Sequence, residues 1–158
     1  MNIKTVLIAI ACIATPLLIG GVSGIFTIEG VNGWYTTLQK PSFNPPNWLF
    51  GPVWTLLYAM MGLALFLIIY ATTTQSKTTA VALFAFQIVL NFFWSIIFFK
   101  WQSPGYALAE IAVLWICILL TIISFWSIHK TAALLLVPYL IWVSFAAVLN
   151  VSIWWLNR

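Results

Sequence analysis

The chain has 158 residues, of which 64% are hydrophobic and only 5% charged, against roughly 25% charged in an ordinary soluble domain. Such a chain cannot cover a water-facing surface, which excludes a soluble globular enzyme. Its formal net charge of +4 comes from single basic residues at segment ends and forms no patch, so the expected surroundings are a lipid bilayer, with no nucleic-acid partner.

The first apolar run covers residues 6–26, and twenty-one residues at ~1.5 Å rise cross the roughly 30 Å hydrocarbon core. Lys4 followed by Ala9-Ile10-Ala11-Cys12 has the outline of a lipoprotein signal. Ala9 is a poor fit there, and the apolar run continues past Cys12, so an uncleaved span is expected. Four more spans follow at about 48–70, 80–99, 106–126 and 132–156. Together they predict an all-α membrane protein, a single bundle of five transmembrane helices over residues 1–158.

The connections at 71–79, 100–105 and 127–131 are short. The one at about 28–47 is not, and loops of that length in compact proteins are usually functional or disordered. Trp34, Tyr35, Leu38 and Phe43 are too apolar for a solvated linker, so this segment is read as a structured loop lying as a lid over one end of the bundle. Orientation is undecided, because Lys4, Lys77 and Lys130 on one side balance Lys40, Lys100 and Arg158 on the other. Cys12 and Cys117 sit inside spans and read as small hydrophobes.

Most catalytic chemistries lack their parts. One histidine, His129, reads as a solvated loop residue, and no metal site is expected. A Ser-His-Asp triad has no aspartate. Glu29 and Glu110 are too distant in sequence to argue for an acid–base pair. Glu110, about 8 Å inside the fourth span, is read as reaching the interface or bonding a neighbouring helix, with proton or ligand handling as the alternative. Alternating-access transport would need an inverted repeat or several buried ionisable groups, and the sequence has neither.

Ten tryptophans remain to be explained. Trp34, Trp48, Trp101, Trp126, Trp154 and Trp155 fall near segment ends, where indoles favour the headgroup region. Trp54, Trp94, Trp115 and Trp142 lie deeper. Gly51, Trp54 and Tyr58 share one helical face, as do Gln87, Asn91 and Trp94, and Tyr139, Trp142, Ala146 and Asn150. Amides facing lipid would be unsatisfied, so these faces point inward. They can serve as interhelical glue, or wall a cavity for a broad, flat, mostly apolar ligand. Packing in which the aromatics fill that space themselves is equally consistent with the sequence. Gly20 and Gly24 form a small-xxx-small pair that can pack helices closely within one protomer or between two, and packing within the protomer is expected.

The stretch Trp34-Tyr35-Thr36-Thr37-Leu38-Gln39-Lys40-Pro41-Ser42-Phe43-Asn44-Pro45-Pro46-Asn47-Trp48-Leu49-Phe50-Gly51-Pro52-Val53-Trp54 closely resembles the signature of the TspO/MBR family. This family comprises the bacterial tryptophan-rich sensory proteins and the mitochondrial translocator protein, or peripheral-type benzodiazepine receptor. Gly20-Gly21-Val22-Ser23-Gly24, Leu90-Asn91-Phe92-Phe93-Trp94 and Pro138-Tyr139-Leu140-Ile141-Trp142 are similar to it as well.

The resemblance implies a multi-pass protein of the bacterial cell membrane, commonly a homodimer. It also implies a ligand cavity for porphyrins such as protoporphyrin IX, haem-like tetrapyrroles and benzodiazepine-type drugs, with no further cofactor required. Carried onto matching positions, the ligand-binding residues are Trp34, Tyr35, Phe50, Gly51, Trp54, Asn91, Trp94, Tyr106, Ala109, Val113, Trp142, Ala146 and Leu149. The implied role is that of a sensor or carrier in tetrapyrrole regulation. Light- and oxygen-dependent porphyrin degradation, with Trp54 and Trp142 as the reacting indoles, is the alternative, and transport ranks behind both. Phe43 stands where the family often has Trp. No basic residue follows Asn150 before Arg158, which argues against the cholesterol pattern of animal members.

Overall fold

A computed structural model describes residues 2–158. Its helices are α1 (Ile3–Asn32), α2 (Trp34–Thr37), α3 (Phe50–Tyr70), α4 (Thr78–Ser95), α5 (Pro104–Ile128), α6 (Lys130–Leu135) and α7 (Val137–Leu156). A 3₁₀ turn (Asn47–Leu49) leads into α3, and a π-helical turn (Ile96–Lys100) extends α4. Five helical stretches are long and apolar enough to cross a membrane: Ile3–Thr37, Asn47–Tyr70, Thr78–Lys100, Pro104–Ile128 and Lys130–Leu156. No strand occurs among the described residues.

The expected long loop shrinks. Helix α1 continues beyond residue 26 to Asn32, and Trp34–Thr37 is helical too, so the irregular part of the lid is only residues 38–46. The physical reason is that the more polar residues after Phe26 end the hydrocarbon-crossing run but not the backbone ladder, and Gly33 N–H still bonds Glu29 O at 3.1 Å. Asn2 begins the helix by accepting a hydrogen bond from Thr5 N–H at 2.9 Å, satisfying one of the free donors of its first turn.

The spans form a ring in which α1 touches α3 and α4, α3 touches α6, and α5 joins α4 to α6 and α7. Apolar residues at three- and four-residue spacing point to its axis, for example Ala107, Ile111, Leu114 and Ile118 on α5. Leu18, Ile25, Leu56, Ile116, Ile123 and Ile141 face outward, the surface a bilayer would cover.

Polar groups within the ring satisfy one another. Tyr139 donates to Gln87 Oε1 at 2.9 Å and Tyr58 donates to Asn91 Oδ1. Trp94 Nε1–H donates to Asn150 Oδ1 at 3.3 Å, and Asn150 Nδ2 donates to Pro104 O at 2.8 Å. The amides therefore serve as interhelical glue. Gln87 is fully buried, so Gln87→Leu strands the Tyr139 hydroxyl in apolar surroundings. The expected loss is about 1–3 kcal/mol of stability, read as a lower thermal midpoint in detergent. Restoration in the double variant Gln87→Leu/Tyr139→Phe identifies the stranded hydroxyl as the cause.

Two sequence expectations change. His129 caps α6, its Nδ1 accepting from Ala132 N–H at 3.3 Å. Glu110 bonds no neighbouring helix, because both carboxyl oxygens are buried without a hydrogen-bond partner. A buried group of this kind costs stability, and an apolar replacement of similar shape removes the cost. Glu110→Leu is expected to raise the thermal midpoint; a lower midpoint would show that the carboxyl holds a partner in the membrane.

Candidate functional site

At the lid end of the bundle, aromatic side chains from the lid and three spans converge. Tyr35 of the lid, Phe50 and Trp54 of α3, Trp94 of α4, and Trp142, Ala146 and Leu149 of α7 line one hollow. All seven belong to the ligand-binding set expected from the sequence. The hollow also takes Thr27 from α1, Ser95, Phe98 and Phe99 from the end of the third span, and Phe145, Asn150 and Ile153 from α7. Phe98 and Phe99 were not anticipated. Both are buried, and they fall in the π-helical turn, whose wider winding the apolar run Ile96–Phe99 does not announce.

The space is nearly full. About 30 Å³ of the hollow admits a water-sized molecule, room for about two waters. Trp94 stacks on Phe98 at 5.1 Å between centroids, and Phe98 meets Phe99 edge-on at 4.9 Å. Phe50 meets the edge of Trp142 at 6.2 Å, and Trp142 leans on Phe145 at 5.5 Å. Trp54 stacks on Tyr58 at 5.4 Å and sets its edge against Tyr139 at 6.1 Å. Of the two arrangements open to the sequence, a standing cavity or rings filling their own space, the second is found. Each such ring contact is worth about 0.5–1.5 kcal/mol beyond its buried area, so the closed state is held by several modest interactions.

The remaining expected residues lie elsewhere. Trp34 packs behind the hollow, edge-on to Phe98 at 5.8 Å. Asn91 is buried beneath it, occupied by the Tyr58 hydroxyl. Gly51 lines a neighbouring groove. Tyr106, Ala109 and Val113 do not reach the hollow. They share one face of α5, but it is the outward one, and Tyr106 is 77% exposed. The inward face of α5 is set by Ala107, Ile111 and Leu114.

The lid is braced within itself and tied to the end of α7. Tyr35 donates to Asn44 Oδ1 at 2.6 Å. The Gln39 backbone exchanges two 2.9 Å bonds with the Asn157 side chain at the end of α7. Phe43 lies edge-on to Phe145 at 6.4 Å, keeping the lid in contact with α7. The cations at this end sit over rings: Lys40 over Tyr35 at 4.9 Å and Lys100 over Phe26 at 4.9 Å. No cluster of three metal-ligating side chains occurs among the described residues.

Beside the hollow, between α1 and α3, lies a groove of about 570 Å³, within the roughly 300–1,000 Å³ of small-molecule sites. Gly20, Ser23, Gly24, Thr27, Gly51, Thr55 and Tyr58 are among its lining residues, and Thr27, Phe50, Trp54 and Ser95 border both spaces.

These features define a multi-pass integral membrane protein with a closely packed aromatic cluster beneath its lid. The chain matches the TspO/MBR family over residues 12–156, and it belongs to that family. It is 47% identical over 155 residues to the tryptophan-rich protein TspO of Chlorobaculum tepidum, covering 98% of each chain. Against the protein of the same name from Archaeoglobus fulgidus it is 44% identical over 148 residues, 94% of this chain and 95% of the relative. The human translocator protein is 36% identical over 128 residues, 80% of this chain and 75% of the relative.

Proposed function

We propose that this protein binds a flat, largely apolar tetrapyrrole such as protoporphyrin IX in the membrane, as a sensor or carrier of the pigment, and takes benzodiazepine-type drugs at the same site. The observation that carries the reading is the convergence of three indoles, Trp54, Trp94 and Trp142, from three different spans on one hollow. Flat apolar faces stack on such rings, and removal of their surface from water drives binding. Lys40 and Lys100 at the same end of the bundle suit acidic edge groups on the ligand.

With about 30 Å³ free, the rings must part before a ligand seats, and the modest ring contacts allow this. In a titration of detergent-solubilised protein with protoporphyrin IX, tryptophan fluorescence is expected to quench saturably with one site per chain. Quenching that tracks only the partition of pigment into micelles would remove the reading.

A photo-oxidative enzyme is the second reading, favoured by the two indoles, Trp54 and Trp142, that border the hollow together. A bound photosensitiser would lie against both. Illumination in air is then expected to bleach bound porphyrin to new absorbing products. Bleaching identical to that of free pigment in detergent leaves binding alone.

A further inference from the structure

The glycines of α1 and α3 fall into two kinds. A Cβ on Gly62 would meet α1 backbone at 2.5 Å, and one on Gly20 would strike the Tyr58 ring at 2.1 Å, so at both the absence of a side chain is required by packing. A Cβ on Gly21, Gly24 or Gly51 would meet nothing within 4 Å. Glycine in a helix interior, as at Gly21 and Gly24, costs roughly 0.5–1 kcal/mol relative to alanine, and no neighbour within the chain demands glycine at any of the three positions. All three line the groove between α1 and α3. The expected small-xxx-small pair is thereby divided, with Gly20 packing within the protomer and Gly24 leaving space.

The groove opens sideways. Its α1 rim carries Ile25 and Ile28, 63% and 64% exposed, and its α3 side carries Trp48, 72% exposed. Ile25 lies at the end of the hydrocarbon-crossing run, and Ile28 and Trp48 at headgroup level, so the groove opens at the membrane's boundary zone. Inside, Ser23, Thr27 and Thr55, with Asn32 and Asn47 toward the lid, add polar groups to a mainly apolar lining. Its volume of about 570 Å³ lies within the roughly 300–1,000 Å³ of small-molecule sites. A flat small molecule therefore fits it. Phe50 and Trp54 form part of the wall between groove and hollow. The lid, by contrast, is tied down by the Gln39–Asn157 pair.

We propose that the groove between α1 and α3 is a lateral portal, through which a flat, bilayer-dissolved amphiphile slides past Trp54 into the hollow without lifting the lid. This rests on the binding reading above. A ligand of this class partitions into the membrane before it meets the protein, so the lipid-facing side presents it at the higher local concentration. Small residues on both walls of the groove keep the approach wide enough for a planar molecule.

The test is kinetic. Stopped-flow quenching by protoporphyrin IX is followed in lipid nanodiscs for the unaltered protein, for Gly24→Ala and Gly24→Leu, and for Gly21→Leu/Gly24→Leu. Association is expected to slow with side-chain size, at least tenfold in the double variant. The thermal midpoint should hold, because these positions have open space. Asn157→Ala, which frees the lid, is expected to associate at the unaltered rate. Unchanged association in the folded double variant, or faster association in Asn157→Ala, overturns the portal. Either result leaves saturable binding intact, whereas failure of the unaltered protein to saturate removes the binding reading itself.

Discussion

Trp54→Ala is expected to weaken protoporphyrin IX binding about thirtyfold, the equivalent of about 2 kcal/mol for an aromatic anchor in a desolvated site. Trp54 is the indole that borders both the hollow and the groove, so a ligand reaching the hollow from the groove passes it and then rests against it. Truncation removes that stacking face and the edge contact with Tyr139. It also leaves a void, and a large-to-small change of this size costs about 3–5 kcal/mol of fold stability. Affinity must therefore be measured on protein whose circular dichroism and elution volume match the unaltered chain. Trp54→Phe retains a flat ring and should recover most of the affinity, an outcome that a purely structural role would not demand. Trp142→Ala is expected to act in the same direction, because Trp142 lines the hollow. Unchanged quenching titrations for both alanine variants would remove the pocket assignment.

The parts of this site that depend on periodicity were legible in the sequence. Residues three, four and seven apart share a helical face, and that rule brought Trp54 with Tyr58, Gln87 and Asn91 with Trp94, and Trp142 with Ala146 before any coordinates. The same rule groups Tyr106, Ala109 and Val113 but does not say whether their face looks in or out. On an apolar α5 both faces are hydrophobic, so hydropathy cannot choose between core and lipid. Packing chooses, and it turns Ala107, Ile111 and Leu114 inward. Free volume was illegible for a related reason. The size of a hollow is a small difference between the space that backbones enclose and the volume of the rings that fill it, and ring orientation has no signature in spacing. The end of α1 escaped because the polar residues after Phe26 mark where hydrocarbon stops, while helical hydrogen bonds continue in any solvent.

Gly62→Leu is expected to prevent folding, and Gly62→Ala to cost about 3 kcal/mol, the upper part of the usual range for overpacking. A Cβ at Gly62 would lie 2.5 Å from Ile13 Cα and 2.7 Å from Cys12 O. Both are backbone atoms, which cannot swing away as a flexible side chain can. Cys12 O is also the carbonyl whose regular helical donor is missing, because Pro16, four residues on, has no N–H. Helix α1 can therefore approach α3 closely where its own ladder is broken, and an added methyl must push the two helices apart or bend α1 further at Pro16. Because α1 and α3 form the two walls of the groove, that displacement reaches Gly24 and Gly51 as well. Gly51→Ala is the matched control, since its Cβ enters open space. Thermal unfolding in one detergent should show Gly62→Ala melting well below the unaltered protein and Gly51→Ala at or above it. Equal midpoints for the two variants would mean that α1 and α3 are not in backbone contact at Gly62.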